Sequence, residues 1–181
     1  SRMARWQADQ VAGLLRNLGV SIEIVEIATT GDRVQDCPIA ELPGDAPFVD
    51  DLEAALATGK IDLAVHCLKD LPVRFALGES TVAILPRQRA TEALVSRDRR
   101  SLAELAPASA VGTSSPRRAA QLLALRSDLL PRPIRGPVEK RIALIREGRV
   151  DAVILATAGL ERLGLLAEIA ERRAKAKAAT G

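Results

Sequence analysis

At residues 61–72 the chain reads IDLAVHCLKDLP, an apolar run that stops abruptly at two charged side chains and a proline. The apolar residues predict a buried strand over 61–68. Pro72 cannot donate a hydrogen bond to a sheet and pushes the residue before it towards extended backbone, so it should end the strand. Because ligands of α/β sheets bind at the carboxyl ends of strands, Lys69 and Asp70 are candidate functional residues. A solvated Lys–Asp ion pair at a strand end is the alternative that the stretch leaves open.

Helical and strand patterns alternate on both sides of this stretch. Strands are predicted at 21–28, 61–68, 81–85, 93–96, 110–112, 133–135 and 152–155. Helices are predicted at 3–18, 48–58, 119–125 and 138–147, and a last helix follows the strand at 152–155 and runs to about residue 163. A helical turn is predicted at 101–105. Strands that alternate with helices are typical of mostly parallel sheets covered by helices. The sequence therefore predicts an α/β fold.

The alternating pattern restarts after the sequence PRQR at residues 86–89. This restart predicts two lobes, a first at 1–86 and a second at 91–165, joined by a hinge at 87–90. Residues 166–181 are predicted to form a helical tail, whose end is rich in Ala and Lys and should fray.

The composition of the 181 residues limits the classes of function. Aromatic residues make up only 2% and the net charge is +3, so binding of nucleic acid through stacked bases is not expected. The single histidine and two cysteines show no metal-ligand spacing, so no metal site is expected. No apolar run approaches the roughly 20 residues that span a bilayer. So few cysteines favour a reducing, cytoplasmic setting.

Two basic turns follow predicted strands of the second lobe. Residues 112–118 read GTSSPRR, in which Ser114 or Ser115 should cap the next helix and Pro116 should lie in its first turn. Residues 135–141 read RGPVEKR and repeat the scheme. Backbone N–H groups and hydroxyls at such a helix start, together with guanidinium groups, suit a ligand that carries several carboxylates. The alternative is a solvated basic surface, although residues 111–149 do hold nine Lys and Arg against three acids.

Five stretches of the chain resemble the hydroxymethylbilane synthase family, also called the porphobilinogen deaminase family. They are residues 4–8, 65–72, 111–122, 135–138 and 151–164. The resemblance implies two periplasmic-binding-protein-like lobes. It also implies a transferase of tetrapyrrole and heme biosynthesis, which condenses four porphobilinogen molecules into hydroxymethylbilane and releases ammonia at each step. Family members are usually cytoplasmic monomers.

The resemblance also assigns roles to individual residues. Asp70 matches the catalytic aspartate, which stabilises pyrrole cations and moves protons, and Lys69 matches the lysine beside it. Asp36 matches a further active-site acid of the first lobe. Thr113 and Ser114 match the family's anion-binding turn. The arginines that match those holding acetate and propionate side chains are Arg117, Arg118, Arg135 and Arg141.

The chain also departs from the family pattern. In the family, the dipyrromethane cofactor is linked to a cysteine of a third domain. We expect this domain and the family's opening strand to be absent here. We also expect the attachment cysteine to be absent, since neither Cys37 nor Cys67 matches its site. Asp45 and Asp50 stand where lysines are usual, and Pro137 replaces an asparagine. The reversed charges should weaken binding if they face the ligand. A non-catalytic two-lobe protein that binds a small carboxylated ligand is therefore the alternative function.

Overall fold

The computed structural model describes residues 1–35, 37, 41–44, 46–72 and 83–174, with only the backbone of 172–174. The expectations for Asp36 and Asp45 thus lie outside the described residues, as do residues 81 and 82 of a predicted strand. The chain divides into two compact units, Ser1–Leu85 and Pro86–Gly181. The residues of the expected hinge at 87–90 belong to the second unit, and their role as a hinge stays a prediction.

Three α-helices occur among the described residues of the first unit. They are α1 (Arg2–Asn17), α2 (Thr30–Arg33) and α3 (Asp50–Ala57). The Ser1 hydroxyl caps α1 by accepting a hydrogen bond from the Ala4 N–H at 3.2 Å. The helix ends before Gly19, whose φ of 82° lies in the left-handed region. The predicted helices at 3–18 and 48–58 are confirmed, with ends that differ by one or two residues.

The strands predicted at 21–28 and 61–68 are wrong, and residues 83–85 of the third predicted strand also form none. The backbone at Cys67 is extended, with φ −81° and ψ 117°, but the next three residues form the 3-10 helix Leu68–Asp70. A strand needs a hydrogen-bonded neighbour, and none of these segments has a ladder partner within the part of the first unit that the structure describes. An apolar run alone therefore did not determine sheet pairing here.

Polar side chains bind the start of α2 to the start of α3. Thr29 and Asp32 form a reciprocal capping box at the start of α2. The Asp51 carboxylate accepts hydrogen bonds from the Thr30 N–H at 2.7 Å and from Arg33 at 3.0 Å. The Asp51 carboxylate thus joins α2 to the first turn of α3.

Gly31 in this turn has no room for a side chain. A Cβ atom there would lie 2.3 Å from Cε1 of Phe48, and the Gly31 N–H donates to the Pro47 carbonyl at 2.7 Å, which holds the two backbones close. We expect Gly31→Ala to lower the free energy of unfolding by about 1–3 kcal/mol, because the added methyl overpacks the contact. Denaturant unfolding measures this change. The matched control is Gly13→Ala in α1, where nothing lies within 4 Å of the added atom, and it should be neutral or stabilising. Equal midpoints for Gly31→Ala and wild type would contradict the packing argument.

The Asp51 carboxylate should make the stability of the first unit depend on pH. Its hydrogen bond with Arg33, followed by that with the Thr30 N–H, lowers its pKa below the ordinary value of 3.8. A depressed pKa stabilises the folded state above the ordinary value, and this contribution is lost as the pH falls through the folded-state pKa. We expect wild type to lose stability more steeply than Asp51→Asn below about pH 4. Denaturation curves between neutral and acidic pH measure the two slopes, with Asp62→Asn as the exposed-acid control; parallel curves would disprove the linkage.

The second unit is built on a sheet of five strands within its described residues. They are β1 (Thr91–Ser96), β2 (Ala110–Gly112), β3 (Leu130–Arg132), β4 (Ala152–Ala156) and β5 (Glu171–Ala174), in the order β3-β2-β4-β1-β5. Strand β2 runs parallel to β3 and β4, whereas β1 is antiparallel to β4 and β5. The helices are α4 (Pro116–Leu125), α5 (Val138–Arg146) and α6 (Thr157–Arg162). The α/β class is confirmed.

Two expectations for the second unit are wrong. The strand expected at 133–135 is displaced to Leu130–Arg132, where it pairs with β2 at the sheet edge; Pro133 cannot donate a ladder hydrogen bond, and the strand ends before it. The helical tail is not observed over 166–174, which form the 3-10 helix Leu166–Glu168 and strand β5. Pairing of β5 with β1 outweighs the helix propensity of this segment.

Both faces of this sheet are covered. Alternate residues of β1 point to opposite faces, so Leu94 packs in one apolar cluster and Val95 in the other. One cluster includes Ile142 of α5 and Leu160 of α6, and the other includes Leu122 of α4. This packing fixes the start of α4 at the carboxyl end of β2.

Candidate functional site

One edge of the second unit's sheet gathers the residues that the sequence singled out there. At this edge β2 and β4 end and the antiparallel β1 begins, and Glu92 lies opposite Ala156. The basic turn at 113–118 leaves β2, and the turn at 135–141 follows β3. Because parallel strands end at the same edge, the two turns become neighbours.

The first turn is organised by its small hydroxyl side chains. Ser115, rather than Ser114, caps α4, since its Oγ accepts from the Arg118 N–H at 3.4 Å. The buried Thr113 accepts a hydrogen bond at Oγ1 from the Ser115 N–H at 3.2 Å. Within the described residues, the N–H groups of Ser114 and Arg117 have no backbone acceptor outside the helix. The helix start therefore retains donors for an anion.

Arg141 connects the two turns. Its Nε donates to the Gly136 carbonyl at 2.7 Å, and its Nη1 donates to the Ser114 Oγ at 3.1 Å. Pro137 is the N-cap of α5 and makes no side-chain capping bond. Arg135 is half-buried in the same turn. Arg141 thus supports the geometry of the first turn as well as adding positive charge to the edge.

Arg117 and Arg118 share one carboxylate that the sequence did not single out. The distance from Arg118 Nη2 to Glu92 Oε2 is 2.6 Å, and that from Arg117 Nη2 to Glu92 Oε1 is 3.3 Å. The side chains of Glu92 and Arg118 are 12% and 15% exposed, whereas that of Arg117 is 51% exposed. In the sequence, Glu92 was recognisable only as an acid beside a predicted strand. The register of β1 on β4 is what places Glu92 next to the arginines.

The candidate residues of the first unit form an exposed ion pair. The distance from Lys69 Nζ to Asp70 Oδ1 is 3.3 Å, and the two side chains are 75% and 36% exposed. Beside them, His66 Nε2 lies 2.7 Å from Glu53 Oε1, which ties the segment to α3. The Asp70 carboxylate is therefore open to solvent and to a ligand, with an ammonium group next to it.

Asp50, one of the two acids expected to stand at lysine positions of the family, has a local role. It is the first residue of α3, and its Oδ2 accepts from the Ala46 N–H at 3.3 Å. A carboxylate in the first turn of a helix is stabilised by the helix dipole, whereas a lysine there is not. This reversal of charge therefore has a structural reason within the first unit.

Further observations concern other kinds of site. Over the ranges that the structure describes, no three His, Cys, Asp or Glu side chains are grouped to hold a metal ion. The α-helices in those ranges are too short or too polar to cross a membrane. Neither Cys37 nor Cys67 is joined in a disulfide bond.

Comparison with known proteins identifies relatives over nearly the whole chain. Residues 1–180 match the family model described as "Porphobilinogen deaminase, dipyromethane cofactor binding domain". The porphobilinogen deaminase of Acidothermus cellulolyticus is 46% identical over 172 residues, which cover 94% of this chain and 52% of that protein. The corresponding proteins of Syntrophotalea carbinolica and Maridesulfovibrio salexigens are 44% and 41% identical over 173 residues, covering 94% of this chain and 55% and 56% of theirs.

The chain thus spans about half the length of the curated relatives that it matches. The match includes both units, with the solvent-open Asp70 in the first and the basic turns in the second. On this match the chain belongs to the porphobilinogen deaminase family.

Proposed function

We propose that this protein acts in the condensation of four porphobilinogen molecules into hydroxymethylbilane, the reaction of a porphobilinogen deaminase. The observation that carries the proposal is the sheet edge of the second unit, where two basic turns and a helix start present donors for carboxylates. Porphobilinogen carries an acetate and a propionate group, so a growing chain of pyrroles presents many carboxylates. A dense set of guanidinium groups suits such a ligand better than isolated lysines do.

In this proposal the residues of the second unit bind and orient the ligand. Arg117, Arg118 and Arg135 hold acetate and propionate groups, and Arg141 contributes charge while it positions Ser114. The Thr113 oxygen already accepts a hydrogen bond from the backbone, so its hydroxyl hydrogen is available to a carboxylate.

The same donors suit a dipyrromethane cofactor. Its two pyrrole rings carry the same acetate and propionate side chains, and the arginines and hydroxyls of the basic turns match that chemistry. When bound, the cofactor supplies the pyrrole to which the first porphobilinogen is joined. Attachment through a cysteine outside this chain, and a role for Asp36 in the site, are parts of the same proposal.

Asp70 is proposed to move the protons and to stabilise the cations. In each condensation the bond from the methylene carbon to the amino group breaks and ammonia leaves, so positive charge develops on the pyrrole. A new carbon–carbon bond then forms, and the attacked pyrrole carbon loses a proton. A carboxylate open to the ligand can stabilise the cation and accept that proton, and the Lys69 ammonium lies 3.3 Å from it.

Intact mass spectrometry tests the proposed function. The protein is expressed from its complete gene, incubated with porphobilinogen and weighed after denaturation. An added mass of two pyrrole units is the expected result, because the cofactor remains covalently attached. An unmodified mass, together with no hydroxymethylbilane in the reaction, would rule the function out.

The same experiment addresses the non-catalytic binding protein that the sequence left open. The family relationship does not favour that alternative, since the relatives are named for their deaminase activity. Binding of porphobilinogen without turnover would support it. A cytoplasmic, monomeric protein completes the proposal, and the unbridged cysteines Cys37 and Cys67 suit a reducing compartment.

A further inference from the structure

We propose that Glu92 is a built-in carboxylate that occupies the Arg117–Arg118 pair before the ligand binds, and that a ligand carboxylate then takes Arg117 from it. Glu92 would thereby set the affinity of the site for carboxylated ligands. This inference rests on the proposed function and concerns the same sheet edge.

The two arginines hold Glu92 unequally. The Arg118 guanidinium is mostly buried and lies 2.6 Å from Oε2, so it is the fixed partner. The Arg117 guanidinium is half-exposed and lies 3.3 Å from Oε1, and its Nη1 makes a second contact with the half-buried Gln121 at 3.3 Å. Long contacts of an exposed side chain cost little to exchange. Arg117 is therefore the partner that a ligand can take.

The cluster also retains unused hydrogen-bonding capacity. Arg118 Nε and Glu92 Oε2 are hidden from solvent, and neither makes a hydrogen bond of good geometry within the described structure, although Oε2 lies close to Nη2. Arg118 Nη1 reaches the Ile154 carbonyl only at 3.4 Å. Buried polar groups are normally satisfied, so the Arg118 Nε donor is the group that an oxygen atom of the ligand would complete, whereas Glu92 Oε2 is an acceptor and gains nothing from a carboxylate.

The charge balance explains the effect on affinity. Two guanidinium groups and one carboxylate leave one positive charge without a carboxylate partner in this cluster. An incoming carboxylate is attracted by that positive charge. It must nevertheless compete with Glu92 for Arg117, and the two carboxylates repel each other. Removing the charge of Glu92 should therefore tighten binding, whereas a purely structural Glu92 should weaken binding when it is changed.

The test uses Glu92→Gln, which keeps the size of the side chain and an acceptor for Arg118. All variants carry Asp70→Asn so that porphobilinogen is consumed only slowly, and calorimetric titration with porphobilinogen and, separately, citrate gives the dissociation constants. We expect Glu92→Gln to bind about two- to fivefold more tightly at low salt, with less gain at high salt. The matched control is Glu147→Gln, which removes an exposed acid elsewhere in the second unit and should leave affinity unchanged.

Two further variants make the result decisive. Glu92→Asp keeps the charge, so it should not tighten binding. Arg117→Gln should weaken binding, and in its presence Glu92→Gln should give no gain, because the contested guanidinium is gone. Circular dichroism verifies that each variant is folded. Unchanged or weaker binding by a folded Glu92→Gln overturns the inference.

The two probes separate this inference from the proposed function. If citrate binds and Glu92→Gln tightens it while porphobilinogen does not bind, the inference stands and the proposed function fails. If porphobilinogen binds to every variant without a gain from Glu92→Gln, the inference fails, whereas the proposed function is still decided by the mass measurement described above. No binding of either probe to any variant overturns both.

Discussion

Asp70→Asn is expected to lower the rate of porphobilinogen consumption by about 10²- to 10⁴-fold, the usual range for removal of a group that moves protons in a reaction. Asparagine has nearly the same size as aspartate, but it neither accepts the proton nor carries the negative charge that stabilises a pyrrole cation. The effect should fall on kcat, because the carboxylate-binding residues of the second unit are unchanged. Steady-state assays on the full-length protein measure both constants.

The control for this prediction lies in the same segment. Asp62 is exposed, eight residues earlier, and Asp62→Asn removes an equal charge without touching the Lys69–Asp70 pair. Its kcat should stay within a factor of about two of wild type, since exposed charges interact weakly. If both variants lose activity equally, the effect is one of overall charge, and Asp70 has no special role. Full activity of Asp70→Asn would remove Asp70 from the mechanism.

Arg118→Gln is expected to weaken porphobilinogen binding by about 10- to 100-fold, because a hydrogen bond to a charged group contributes about 1.5–3 kcal/mol. The same change should destabilise the second unit by about 1–3 kcal/mol, since the mostly buried Glu92 carboxylate keeps only its longer contact with Arg117. Titration calorimetry measures the affinity, and denaturant unfolding measures the stability.

A second substitution separates these two effects. In Arg118→Gln with Glu92→Gln, no carboxylate is left without its partner, so stability should recover while affinity stays low. Arg149→Gln, which removes an exposed arginine elsewhere in the unit, is the charge-matched control and should change neither quantity much. Recovery of affinity together with stability would mean that Arg118 acts only through folding.

The helices were the part of the fold that could be predicted most closely from sequence. The Ser115-Pro116 pair before α4 is a local signal, and the helix begins at Pro116, as this signal indicates. The family motifs likewise indicated the basic turns from the order of the residues alone. All of these features depend on residues within a few positions of one another, because helical hydrogen bonds join residues four apart.

The candidate site was predicted only in part, because its contacts join residues that are distant in the chain. Arg117, Arg118 and Arg141 were expected to bind carboxylates, but Arg117 contacts Glu92 across 25 positions of the chain and Arg141 contacts Ser114 across 27. Only the packing of strands and turns at one sheet edge brings these residues together. Sequence periodicity does not contain that information.

The amino-acid sequence by itself determined the family, the α/β class, the longer helices and the basic turns. The tertiary structure decided which extended segments became strands: residues 61–67 have no ladder partner within the described first unit, whereas residues 171–174, which favour a helix, pair with β1. It also decided that Glu92 faces two arginines. The physical reason is that strand pairing and ion pairs require partners distant in the chain, and only the folded backbone selects them.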